Sequence, residues 1–379
     1  MEQYELVCEV FPDSSESGEA SDRRLMADVH WAYRQGLLQP KVPEDSCWEI
    51  DEGKNLTTAE WESDRLTVST CLHHMEAARR SAVRGDVETA CELFGLARTF
   101  AEKTKLSEEA RLLCRSQMNA AEAYLDYACG DFKQAIRRLE VAIVADQQLE
   151  DRFGQTRMHG HRLHLVNNMV KVEARAGRLS SAMELAASVF LYLEGERDAL
   201  PVPAAWGRTY LDRLPLERRQ FLSSQLAGEL AVFIAGVETK LRDPWQTLVE
   251  TIQIHKDHQS WRPEVAEWFP LKDLAVRNSN QNRFLQECVS FLQKGPRCAT
   301  LLWQIIAIDA AFASQALPCS EALNFRRAVL ADFQAHKSLP RRVRTMLGKM
   351  QTVAPSEAPV FPKGGGAWAG AAKDPKVIG

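Results

Sequence analysis

No run in this sequence approaches the ~20 consecutive apolar residues that a membrane-crossing helix needs, so no span is expected. The opening Met1-Glu2-Gln3-Tyr4-Glu5 has no basic segment leading into an apolar run, so no signal peptide is expected. Nine cysteines stand at 8, 47, 71, 91, 114, 129, 288, 298 and 319, odd in number, irregular in spacing and without a CxxC. That scatter points to reduced thiols in the cytosol or the nucleus, not to a disulfide framework or a zinc finger. Phosphate-binding glycine loops are missing too. Glu52-Gly53-Lys54 lacks the upstream glycine and the following Ser/Thr, and Gly364–Gly366 follows no strand-like segment. HExxH, GxSxG and kinase-type sets are absent.

What is present is an ordinary globular composition, 45% hydrophobic and 26% charged, enough for a sizeable core. The net charge of −4 argues against a dedicated nucleic-acid binder. Its distribution is uneven: residues 1–64 hold sixteen acidic against five basic residues, and residues 323–379 hold ten basic against three acidic.

Along the chain, residues 4–11 alternate as a short strand would, and 12–22 have the Ser/Glu/Asp content of a disordered segment. A helix near Arg24–Gln35 and a Pro/Gly/acidic stretch complete an acidic, largely disordered arm over 1–55. Thr57-Thr58-Ala59-Glu60 has the form of a capping box and opens a helical period that runs to Gly85. Ser107 and Asp131 stand where further helices would be N-capped.

Three glycines then introduce the same pattern. Gly85 is followed by Val87, Ala90, Phe94 and Ala97; Gly130 by Phe132, Ala135, Leu139 and Ala142; Gly177 by Leu179, Ala182, Ala186 and Val189. Glycine accepts the left-handed turn that stops one helix, alanine allows the next to approach closely, and the later residues fill the seam. This turn-plus-second-helix pattern resembles the tetratricopeptide repeat family over roughly residues 57–195. The spacings of 45 and 47 residues exceed the family's repeat of about 34, so each helix is longer by about five or six residues.

The resemblance implies an all-α fold: an α-solenoid of tetratricopeptide-like hairpins at 56–195 followed by a second helical region. A Pro-containing linker at 196–214 precedes a helical domain at 215–352, and 353–379 read as a flexible tail. Within that domain helices are expected at 216–240, 243–258, 281–293, 298–315, 320–336 and 339–351, with an irregular stretch at 261–280. The last helix, with Arg341, Arg342 and Arg344 beside Met346, Leu347 and Met350, is amphipathic and cationic. Trp206, Trp245, Trp261, Trp268 and Trp303 are expected to fill a helical core.

Stacked as the family stacks, the first helix of each hairpin would line a concave groove. That implies Arg79, Tyr124, Tyr127, His164, Asn167, Asn168, Lys171 and Arg175 as partner-binding residues, with Met75 nearby. Amides hydrogen-bond a peptide backbone, tyrosines give flat contact area and cations suit an acidic ligand. The two-carboxylate clamp of chaperone-reading members is not matched, because its places carry Met75, Arg79, Ala121, His164 and Asn168.

No catalytic residue, metal site or cofactor is expected. His159, His161 and His164 read as solvated helix-start histidines, and Cys91 as packing within its hairpin. The expected function is a non-enzymatic adaptor for another protein or an acidic peptide. Two alternatives are a regulatory sensor of a small peptide or metabolite, and an enzyme with its site in the C-terminal half.

Overall fold

The computed structural model describes residues 18–39, 61–235, 241–277, 280–296, 299–334 and 339–352. The strand expected at 4–11, the capping box at Thr57 and the tail at 353–379 lie outside them. Among the described residues the chain forms fifteen α-helices and no strand. None is long and apolar enough to cross a membrane.

The helix expected near Arg24–Gln35 is longer: α1 runs from Gly18 to Leu38, so residues 18–22 are helical where disorder was expected. Met26, Val29, Tyr33 and Gly36 recur at helical spacing and form its buried stripe, which outweighs the polar composition of its start.

Six helices follow: α2 (Trp61–Arg84), α3 (Val87–Lys103), α4 (Glu108–Cys129), α5 (Phe132–Phe153), α6 (Met158–Arg175) and α7 (Leu179–Glu194). The turns at Gly85, Gly130 and Gly177 have φ of 84°, 85° and 80°, a left-handed conformation that favours glycine. Asp86, Ser107 and Asp131 cap the helices after them by accepting from Thr89 N, Ala110 N and Gln134 N. Ala90, Ala135 and Ala182 are fully buried, as close approach requires. Cys91 is exposed, contrary to expectation, because it stands one residue, or ~100° of helix, past the buried Ala90.

After a loop and the short α8 (Arg208–Leu211) come α9 (Leu216–Phe233), α10 (Arg242–Ile252), α11 (Pro263–Arg277), α12 (Gln281–Gln293), α13 (Thr300–Ala313), α14 (Ser320–Gln334) and α15 (Arg341–Thr352). The stretch 261–280, expected to be irregular, contains α11. Pro270 lies inside it and removes one backbone donor. Burial of Val265, Trp268, Phe269, Leu271 and Val276 outweighs that loss. Trp245, Trp261, Trp268 and Trp303 are all buried in the core.

The buried side chains form two clusters. The smaller joins α2, α3 and α4 to Ala145, Leu149 and Met158. The larger includes Ala123 of α4 and Ala135, Leu139, Ala142 and Ile143 of α5, runs on through α6 and α7 to α15, and takes in α1. Helix α1 therefore packs on α12 and α14, far from it in sequence. Gly36 makes this possible: an added Cβ would lie 2.0 Å from the Leu292 carbonyl oxygen. Tyr33 stacks on Trp303, meets Phe325 and Phe333 edge-on, and donates to Asp332 at 2.9 Å.

Candidate functional site

Helix α6 has polar residues on two faces. On the first, Arg162 is fully buried with its guanidinium 4.8 Å from the Trp206 ring centre and 4.9 Å from that of Tyr210. It donates to Glu150 Oε2 at 2.6 Å, to the Ala205 carbonyl at 2.6 Å and to His159 Nδ1 at 2.9 Å. His159 is neutral: burial, helped by Arg162 and Arg213, depresses its pKa to about 3. Since Nδ1 accepts, the proton sits on Nε2 and is donated to Tyr192 Oη at 3.1 Å. Tyr192 in turn donates to the Gly207 carbonyl at 3.1 Å, and burial raises its own pKa to about 12. This chain of bonds fastens the 196–207 loop to α5, α6 and α7.

The second face borders a cavity of about 670 Å³. Helix α2 contributes Leu72, Met75, Glu76 and Arg79; α4 contributes Gln117, Ala120, Ala121, Tyr124 and Tyr127; α6 contributes His161, His164, Asn168 and Lys171. One wall comes from outside the hairpins, as Gln225 of α9. Arg79, Tyr124, Tyr127, His164, Asn168 and Lys171, all expected in a groove, thus line one cavity. Asn167 and Arg175 stand outside the lining. Asn167 is buried against α9, donating to the Leu222 carbonyl at 3.4 Å and to Gln225 Oε1 at 3.3 Å. Arg175 is exposed, but its charge is felt at Tyr127, whose pKa burial raises and Arg175 lowers.

The histidines correct the sequence-based expectation, since His159 and His161 are buried rather than solvated. The partner of His161 lies on α5. His161 Nδ1 is 2.7 Å from Asp146 Oδ2, and Asp146, fully buried, also accepts from Ser116 at 2.5 Å. His164 is neutral because burial lowers its pKa to about 4. Asn168 donates to its Nε2 at 3.3 Å, and its Nδ1 meets the Gln225 amide, 2.8 Å from Nε2 and 3.0 Å from Oε1. No group of three or more His, Cys, Asp or Glu among the described residues is placed to hold a metal ion.

The cations of the cavity are held by internal partners. Arg79 forks onto Glu76 at 2.8 and 2.9 Å, and Lys171 pairs with Glu229 of α9 at 2.5 Å. Sequence reasoning missed Glu76, Gln117, His161 and Gln225. The helical period could have found His161, one turn before His164. Nothing local marks Gln225, which reaches the cavity only through tertiary packing. No family model, curated protein or solved structure matches the chain.

Proposed function

We propose that the chain is a non-enzymatic binding module of the cytosol or nucleus that holds a short peptide segment of a partner protein in this cavity. Its hairpins are read as elongated relatives of tetratricopeptide repeats. The observation that carries the proposal is the make-up of one enclosure: two tyrosines, three amide side chains and three alanines around about 670 Å³. Cavities of this size hold small ligands and short segments, and most of their affinity comes from apolar and aromatic walls. Amides offer a donor and an acceptor together, which suits a peptide backbone. The alanines leave room for side chains.

Filling that room is the test. Ala121→Trp places a ring in the cavity and leaves every charged group in place. Partners captured from native cells by the wild-type chain and identified by mass spectrometry should be lost with Ala121→Trp. A melting curve establishes that the variant is folded. A partner retained by both forms overturns the reading.

One observation also favours a sensor. Gln225 belongs to α9, and α9 packs on α7, α11, α13 and α15 as well as α6. An occupant touching Gln225 therefore touches a helix that, with α10, joins the hairpins to the rest of the chain.

A further inference from the structure

The seam between α6 and α9 is polar along the edge that borders the cavity. His164, Asn168 and Lys171 repeat at helical spacing on α6, with Asn167 beside them, and they meet Gln225, Glu229 and the Leu222 carbonyl of α9. Elsewhere α9 buries Leu226, Ala227 and Leu230 in the core. Buried contacts are lost when a helix shifts, whereas a partly solvated ion pair such as Lys171–Glu229 can change partner at little cost.

The two cations are not equivalent. Arg79 already has both arms of its fork on one carboxylate of its own helix, three residues away. An incoming carboxylate gains little there. Lys171 is a compact ammonium with rotatable donors, and its ion pair crosses from α6 to α9. The pair is partly solvated, with side chains 30% and 26% exposed. Lys171 lines the cavity and Glu229 does not. The protein's own carboxylate thus reaches Lys171 from outside, leaving the cavity side open to a rival.

We infer that the bound peptide carries an acidic side chain that replaces Glu229 on Lys171, and that this exchange loosens α9 from α6. The inference rests on the peptide-binding reading and adds a ligand charge and a consequence. Occupancy of the cavity is thereby communicated to α11, α13 and α15 through the helix that touches all three.

The experiment uses the full chain and two blocked tripeptides at millimolar concentration, acetyl-Leu-Glu-Leu-amide and acetyl-Leu-Gln-Leu-amide. Binding is followed by methyl NMR at Met75 and Leu72, and α9 by hydrogen exchange over 216–233. The glutamate probe should bind more tightly than the glutamine probe and speed exchange in α9. Glu229→Gln should raise affinity for the glutamate probe about tenfold, the worth of one charged hydrogen bond, and leave the glutamine probe unchanged. Lys171→Gln should erase the preference. Equal binding of the two probes overturns the exchange and leaves the peptide-binding reading standing. Preference without faster exchange in α9 overturns the coupling. No shift at Met75 or Leu72 with either probe removes both readings.

Discussion

On one side of α6, Arg162 and His159 are sealed among Trp206, Tyr210 and Tyr192; on the other, His164, Asn168 and Lys171 border open space. Both clusters use charge and histidine, and in both the histidine is neutral. They differ in what surrounds the charge. Arg162 is fully buried and bonded to three groups, so removing it leaves the buried Glu150 with only its longer, 3.7 Å pair to the exposed Arg213. Lys171 has one partner and about a third of its side chain in solvent. The first cluster is structural because its charge is shut away from water; the second can change partners because water already shares it.

That contrast can be broken in several ways. Arg162→Ala should have the largest effect, about 3–5 kcal/mol, because it takes from a buried carboxylate its hydrogen-bonded cation, leaving only the longer Arg213 pair, and frees the loop. Urea denaturation measures it, and a loss below about 1 kcal/mol would place this cluster in the same class as Lys171. Ala135→Trp should follow, costing about 1–3 kcal/mol or more, because Ala135 is fully buried between helices. Here a stable variant would mean that α5 is not closely packed.

The histidines sharpen the comparison through pH. His159 and His164 have folded pKa values depressed to about 3 and about 4 from an ordinary 6.5. As pH falls below ~6.5 the unfolded chain takes up these protons first, so stability present above that pH is lost as it drops toward 4. Melting temperature should fall across that window, and His164→Gln should flatten part of the slope. A melting temperature that rises on acidification contradicts the neutral assignment of both rings.

The smallest effect on stability belongs to the cavity rim. Charge reversal at Lys171 and Arg175 should cost about 1 kcal/mol or less, since one is a partly exposed pair and the other is exposed. Partner binding should weaken all the same. A large drop in melting temperature would erase the difference between the two faces of α6.

Much of the hairpin region was legible because its signals are local. A glycine with positive φ, a capping Ser or Asp three residues before the amide it accepts, and an alanine on the inner stripe all act within one turn of helix. Six cavity residues followed from that register. What was not legible depends on partners far away in the chain. His161 is buried because Asp146 lies across the helix pair, and Gln225 closes the cavity from a helix with no repeat signature. Residues 261–280 were expected to be irregular, and only the packing of Trp268 and Phe269 reveals why α11 forms there.

The docking of α1 sets an order of events for a growing chain. During synthesis α1 emerges well before Trp303, Phe325 and Phe333, the bed for Tyr33. Until then Met26, Val29 and Tyr33 have no place to be buried, and the aromatic bed forms without its cover. The hairpins can fold from neighbouring contacts as they appear; closure of the larger core must bring together residues as far apart as Tyr33 and Asp332. Closure of the larger core therefore follows synthesis of α14, and until then the apolar stripe of α1 is exposed to chaperones.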